Sequence, residues 1–408
     1  MTHSIPFASD HPPDFFAQFP AAAAVFLLRG ADEGAEPYVS KTANLRRRLQ
    51  RLLAPPESQS KRLNLRERVA RIDYSLAGSD FESALLLYKV LRQEFPENYN
   101  KRLRLRPAPL VRLNLENEYP RAYVTSRVGK MTGKLTGRSL YYGPFASRTV
   151  AEKFMNDSLD LFKMRRCTFD LEPDPKFPGC IYSEMKMCLA PCFKGCTDQD
   201  YAAEVARVQA YFDSGGQSLL REMEEERERL SAALDFEAAA QQHAKVAKLK
   251  GILSAWDEIC RRLDRLDAVI IQPSFIQPSF IQPSFIQPAF ISPAKSVALF
   301  RFCKGELAGP EPFPVKVENE TEPLESRLRA ALEQLTPAAA RSSQQFTEGL
   351  AMLKRWYYRS HKVGEIIFAK EDGALPMRRL VNAIGRVHRG EQTSENTKEH
   401  EEKGQNNR

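Results

Sequence analysis

Four near-copies of the pentapeptide Ile-Gln-Pro-Ser-Phe run from Ile271 to Phe290, the last written Ile286-Gln287-Pro288-Ala289-Phe290. Proline at 273, 278, 283 and 288 removes a backbone donor and fixes φ at every fifth residue. Neither a helix nor a central strand tolerates that spacing. The unit is much shorter than the roughly 20–50 residues of solenoid repeats, so the tract reads as an extended, low-complexity linker over 267–295. It cuts the 408 residues into a long first part and a shorter second one. With 42% hydrophobic residues, the chain can build two or three compact units, each with its own core.

The first part opens with a polar leader, 1–18, and then an α/β unit over 19–105. Ala24 to Leu28 is a buried strand, Glu33-Gly34-Ala35-Glu36 a turn, and Pro37-Tyr38-Val39 a second strand. A helix follows from Thr42, with Leu45, Leu49, Leu52 and Leu53 on one stripe and arginines on the others. A strand over Val69 to Tyr74 and a helix from Glu82 to Phe95 complete the unit. Residues 106–198 alternate strands near Leu110 to Leu115 and Ala122 to Thr125 with a helix near 149–162 and a cysteine-rich segment. A helical region spans 199–266 and breaks at Leu234-Asp235-Phe236. Beyond the linker, 296–388 holds a hairpin turning at Lys304-Gly305-Glu306 and helices near Pro323 to Gln334 and Ser343 to Arg359; 389–408 is a polar, disordered tail. The expected class is α+β.

Formal charge is +8, and the excess is local. Lys41, Arg46, Arg47, Arg48, Arg51, Lys61, Arg62, Arg66, Arg68 and Arg71 crowd one stretch, and Lys101, Arg102, Arg104 and Arg106 another. Such density suits phosphate neutralisation, or a solvated helix face. The apolar run Ala21 to Leu28 is too short to span a bilayer, so no membrane association and a cytoplasmic location are expected. Seven cysteines in a reducing compartment point to metal binding or free thiols rather than disulfides. Cys167, Cys180, Cys188 and Cys192 are separated by twelve, seven and three residues, a density that fits zinc or an iron-sulfur cluster, with Cys196 as a competing fifth thiol.

Ala24-Val25-Phe26, Tyr38-Val39-Ser40-Lys41 and Leu45-Arg46-Arg47-Arg48-Leu49 resemble the signature strands and basic helix of a GIY-YIG nuclease domain as found in the UvrC family. The resemblance implies phosphodiester hydrolysis with a divalent metal held by a glutamate, which activates water and offsets developing charge. It assigns catalytic roles to Tyr38, Lys41 and Arg48, and DNA contacts to Arg46, Arg47, Arg51 and Asn100. Four positions depart from the family: Phe26 replaces the first tyrosine, Ser40 a glycine, Ser83 an acid, and Tyr88 the metal-binding glutamate. On the helix around position 88, the neighbours Ala84, Leu85, Leu91 and Arg92 are not acidic, and Glu82 and Glu94 lie on other faces. A neutral phenol binds magnesium or manganese far more weakly than a carboxylate, so impaired cleavage with retained DNA binding is expected.

The surroundings Arg165-Arg166-Cys167, Gly179-Cys180-Ile181-Tyr182 and Met187-Cys188-Leu189-Ala190-Pro191-Cys192 are similar to the UvrC cysteine segment, which implies a [4Fe-4S] cluster, with zinc as the alternative. The string Leu234-Asp235-Phe236-Glu237-Ala238-Ala239-Ala240 resembles the UVR motif. That implies a helical hairpin docking UvrB or a UvrB-like protein through Leu234, Phe236, Ala239 and Leu249; a purely intramolecular hairpin is the alternative. Residues 266–270 and 296–313 resemble the opening strands of the family's second, ribonuclease-H-like nuclease, without its acidic triad. The chain is thus expected to combine a small GIY-YIG-type α/β domain, a cysteine-rich connection, a helical hairpin and a partial C-terminal α/β region, truncated before the second nuclease and the helix-hairpin-helix module. Two functions remain open: a repair endonuclease of impaired activity, or an adaptor that binds DNA and UvrB without cutting.

Overall fold

A computed structural model describes residues 1–32, 34–55, 63–129, 138–274, 296–316, 322–338, 340 and 342–391. The chain is α+β, with three four-stranded antiparallel sheets among the described residues. The first sheet has the order β1 (His3–Pro6), β4 (Arg71–Leu76), β2 (Ala24–Arg29), β3 (Tyr38–Thr42). Its inner strand β2 is apolar from Ala24 to Leu28 because both faces are covered there. Ala24, Phe26 and Leu28 meet Leu45, Leu49, Leu52 and Leu53 of helix α1 (Leu45–Leu53), while Val25 and Leu27 meet Leu86, Leu87 and Val90 of α2 (Asp80–Glu94). Each buried leucine contributes about 1.5–3 kcal/mol. Asn44 and Ser79 cap the two helices through bonds from Arg47 N and Glu82 N.

The leader is not a loose tail. Residues 3–6 form β1, and Phe7, Phe16 and Phe19 are buried under α1. Arg66, counted above in the basic stretch, is itself buried and donates to the carbonyls of Ser9, His11 and Leu53. Polar residues at 2–4 and 9–11 concealed an aromatic rhythm at 7, 15, 16 and 19.

After the short helix α3 (Tyr99–Leu103), the second sheet follows the order β6 (Arg121–Thr125), β5 (Leu110–Asn114), β7 (Leu140–Gly143), β8 (Arg261–Arg262). Against it pack α4 (Arg148–Leu159) and, through a shared core, α6 (Asp198–Asp213); between these lie α5 (Ile181–Glu184) and the cysteine segment. The helical region expected over 199–266 breaks twice. Gly215 and Gly216, at φ 58° and 85°, separate α6 from α7 (Gln217–Ala232), and residues 233–235 separate α7 from α8 (Phe236–Leu253). Helix ends at Leu253, earlier than expected.

The third sheet has the order β11 (Glu306–Pro314), β10 (Ser296–Cys303), β9 (Ala268–Pro273), β12 (Glu365–Phe368). The expected turn is present: Lys304 and Gly305, at φ 50° and 79°, join β10 to β11 as a two-residue hairpin. The linker assignment needs correction at its start. Ile271, Gln272 and Pro273, the first copy of the repeat, belong to β9, where Pro273 lies opposite Val297 at the strand end and interrupts no inner rung. The remaining repeats, 275–295, lie outside the described residues, as do Lys61, Arg62 and the tail from 392. The repeat tract therefore joins neighbouring strands of one sheet instead of separating two units.

Helices α9 (Leu324–Gln334) and α11 (Met377–Arg389) cover one face of this sheet, and α10 (Ser343–Tyr357) the other. Helix α10 sits close: a Cβ on Gly349 would lie 2.5 Å from the Gly305 carbonyl oxygen. It also bonds the second sheet region, Ser343 Oγ to Gly129 O at 2.7 Å, and reaches α2 through Tyr88.

Candidate nucleic-acid interface and thiol pocket

Tyr38 starts the edge strand β3 and, by its register opposite Leu28, faces α1. Arg48 returns from α1 and donates from Nη2 to the Tyr38 hydroxyl at 3.0 Å. Phe26, fully buried, holds its ring 6.1 Å from that of Tyr38. The Nε of Arg48 is buried and has no partner among the described residues. A desolvated, unpaired donor costs roughly 1–3 kcal/mol, which an incoming anionic oxygen would recover. Arg47 is exposed, as is Arg51. Arg46 instead donates its Nε to Phe19 O at 2.7 Å, a structural use. Asn100 is exposed and accepts from Lys101 N. Ser40 Oγ reaches only the neighbouring Lys41 carbonyl.

Lys41 projects from the other face of β3. It pairs with Asp80 at 2.7 Å, and Arg359, beyond α10, pairs with the same carboxylate. Burial tends to raise the Asp80 pKa, but the bond and charge of Lys41 and the charge of Arg359 outweigh it and hold the carboxyl below its ordinary value.

Position 88 looks away from this assembly. Leu86, Leu87 and Val90 face the first sheet, whereas Phe81, Leu85 and Tyr88 join the core shared with the other two sheets. An acid from another element does stand beside Tyr88: Glu348 of α10. The Tyr88 hydroxyl donates to Glu348 Oε2 at 2.9 Å, Tyr99 approaches both carboxylate oxygens at 3.0 and 3.1 Å, and Gln344 Nε2 donates at 2.9 Å. Arg92 Nη1 donates to the Tyr88 oxygen at 3.0 Å. Burial, followed by the Glu348 charge, pushes the Tyr88 pKa far above its usual value, so the phenol stays neutral. The other acids of α2 are also engaged. Glu82 accepts from Gly78 N, and Glu94 takes a two-pronged contact from Arg29. Ser83 is buried, its hydroxyl bonded to Ser79 O. Among the described residues no three His, Cys, Asp or Glu side chains group to hold a metal ion, and no hydrogen bond or ring contact joins Tyr38 and Arg48 to Tyr88. These residues do not fit the divalent ion of the family.

Cys167, Cys180, Cys188 and Cys192 line one pocket with Arg165 and Arg166; Cys196 is not part of its wall. Buried Arg165 donates to Cys167 Sγ at 3.3 Å, and Ala190 N points at Cys188 Sγ at 3.3 Å. Burial first, then the charges of the other three thiols, pushes the Cys188 thiol up to about 11. Lys186, Ala190 and Lys194 all take left-handed φ, 56°, 57° and 59°. Strain of this kind concentrates where a loop is held for function. Four thiols, with a guanidinium N–H and a backbone N–H directed at two of their sulfurs, make a donor set of the kind that holds a thiolate-ligated metal centre.

Helices α7 and α8 pack against each other as a hairpin closed at residues 233–235. At its tip Leu234 is 73% and Phe236 65% exposed, while Asp235 caps α8 through Ala238 N at 3.1 Å. Ala239 is half-buried. Leu249 is fully buried in the chain's own core and is corrected here: its side chain faces inward and is not available to a partner.

The sequence reading missed Asp80, Glu348, Arg355 and Arg359. The string Lys354-Arg355-Trp356-Tyr357-Tyr358-Arg359, basic residues flanking aromatic ones, was the signal within an otherwise unassigned region.

No helix among the described residues is long and apolar enough to cross a membrane. Residues 109–211, from β5 through the thiol pocket to α6, match the family described as UvrC/Cho excinuclease, middle domain. The chain is 25% identical over 255 residues to the UvrABC system protein C of Dehalococcoides mccartyi, covering 62% of this chain and 40% of that protein. It is 28% identical over 213 residues to that of Rickettsia bellii, 52% and 32%, and 26% identical over 237 residues to that of Methanothermobacter thermautotrophicus, 58% and 38%. The match thus spans less than half the length of these relatives. No solved structure matches the chain. The family match over residues 109–211 and these relatives make the chain UvrC-like over the part they cover.

Proposed function

We propose that this chain is a DNA-binding protein of nucleotide excision repair whose GIY-YIG-type domain grips the phosphate backbone and is impaired in hydrolysing it. The observation that carries this reading is the pairing of Arg48 with Tyr38, which leaves a buried guanidinium N–H with no partner among the described residues at the edge of the sheet. Exposed Arg47 and Arg51 on the same helix extend the cationic surface. Impairment follows from position 88, where a neutral phenol engaged with Glu348 stands in place of an anionic metal ligand. Among the described residues, none offers a seat for the ion that would activate water.

The four thiols and the strained loop around them support a [4Fe-4S] cluster, which would order the segment between α4 and α6; equal amounts of iron and acid-labile sulfide in anaerobically purified protein, lost in Cys188→Ser, would be its signature. The exposed Leu234 and Phe236 support docking of UvrB or a UvrB-like protein at the hairpin tip. The second reading, an adaptor that binds DNA and UvrB with no cutting at all, is favoured by the same Tyr88–Glu348 contact.

DNA binding is tested by titrating labelled duplex at several salt concentrations. Arg48→Ala is expected to weaken binding roughly tenfold and to lower the slope of log K against log salt by about 0.9. Unchanged affinity and slope would remove the interface from this surface.

A further inference from the structure

Arg165, in the segment that leads from α4 to the thiols, is 1% exposed. Its Nε donates to Tyr119 O at 2.9 Å, and its Nη1 donates to Phe169 O at 3.1 Å and to Cys167 Sγ at 3.3 Å. Two carbonyls and a thiol occupy these donors without matching the charge. Among the described residues no carboxylate forms an ion pair with Arg165. The adjacent Arg166 differs, since it pairs with Asp160 at 2.8 Å. A buried ion without a counter-ion is costly, and a guanidinium does not shed its proton to escape that cost.

The pocket of Cys167, Cys180, Cys188 and Cys192, which Arg165 lines, is where such a counter-ion can stand. Four thiolates outnumber the positive charges of a zinc ion or of an oxidised four-iron core, so either centre is anionic. We propose that Arg165 is the buried counter-charge of a thiolate-ligated cluster in this pocket, and that it strengthens iron retention and raises the reduction potential there. The inference rests on the cluster reading proposed above and gives a role to a residue that is not a ligand. Arg165 acts as a positioning residue. With Nη1 on Cys167 and Nε on Tyr119, in the connection between β5 and β6, it ties the thiol loop to the second sheet. A cation so placed favours the more negative, reduced state, because the added electron meets an opposite charge in poorly solvated surroundings.

The full chain would be loaded anaerobically with ferrous iron and sulfide. Its midpoint potential would be followed by electron paramagnetic resonance during stepwise reduction with dithionite, and iron release to a chelator timed alongside. Arg165→Gln removes the charge and keeps an amide donor. It is expected to disfavour reduction about tenfold, a fall of roughly 59 mV for a one-electron couple, and to speed iron release by a similar factor. Arg165→Lys restores the charge with different hydrogen bonds and should recover most of both. Loading of Arg165→Lys where Arg165→Gln holds no iron would also support the charge role. Equal potentials and release rates in wild type and Arg165→Gln would overturn it. Equal losses in the Gln and Lys variants, failure of both to hold iron included, would assign Arg165 to the fold alone and overturn it as well. A wild type that takes up no iron and sulfide would remove the cluster reading itself, and this inference with it.

Discussion

Tyr88 illustrates how one replaced side chain changes the meaning of its surroundings. A glutamate there would oppose Glu348, already the acceptor of bonds from Tyr99 and Gln344. Tyr88→Glu is therefore expected to destabilise the chain by about 3 kcal/mol, measured by urea unfolding, because it sets two carboxylates together in a poorly solvated contact. Tyr88→Glu with Glu348→Gln should recover most of the loss. Equal stability of Tyr88→Glu and wild type would show that this contact does not hold α10 to α2. Restoring the family's residue alone is thus not expected to restore its chemistry. Position 88 serves as an attachment point for the C-terminal region.

At the scale of elements, the hairpin tip carries its own test. Leu234 is exposed and left-handed at φ 61°, an arrangement that stability alone does not favour. Leu234→Gly should stabilise the fold by roughly 0.5–1 kcal/mol, after allowing for glycine's freedom in the unfolded chain, and weaken UvrB capture in a pull-down. Loss of stability in that variant would contradict the account of the turn. Much of this organisation was legible beforehand. The apolar run at 24–28, the leucine stripe of α1, the hairpin turn at 304–305 and the break at 233–235 are local patterns, and local physics decides them. What escaped was non-local. Nothing near Tyr88 in sequence announces Glu348, 260 residues away, and nothing in the proline repeat reveals that its first copy pairs with the strand that starts at Ser296. The grouping of four thiols was readable from spacing; the exclusion of Cys196 from the pocket depended on the folding of the loop. Leu249 fitted a helical stripe equally well whether the stripe faced a partner or the core.

For the whole molecule, α10 is the element that integrates the parts. It supplies Glu348 to α2 and Ser343 to the second sheet region, and it packs on the third sheet. Arg359, just past its end, completes the Lys41–Asp80 pair, so the C-terminal region borders the surface assigned to DNA. Recruiting acid and base side chains into such contacts stabilises the assembly and leaves none of them free to coordinate a metal. We propose that the chain retains phosphate binding without an effective hydrolytic centre. The most direct test incubates cluster-loaded protein with lesion-containing duplex, UvrB and magnesium or manganese, and follows binding and nicking in the same reaction. The expected result is binding that weakens in Arg48→Ala, with no metal-dependent nick above the level given by that variant. Efficient metal-dependent nicking by the wild type, lost in Arg48→Ala, would contradict it.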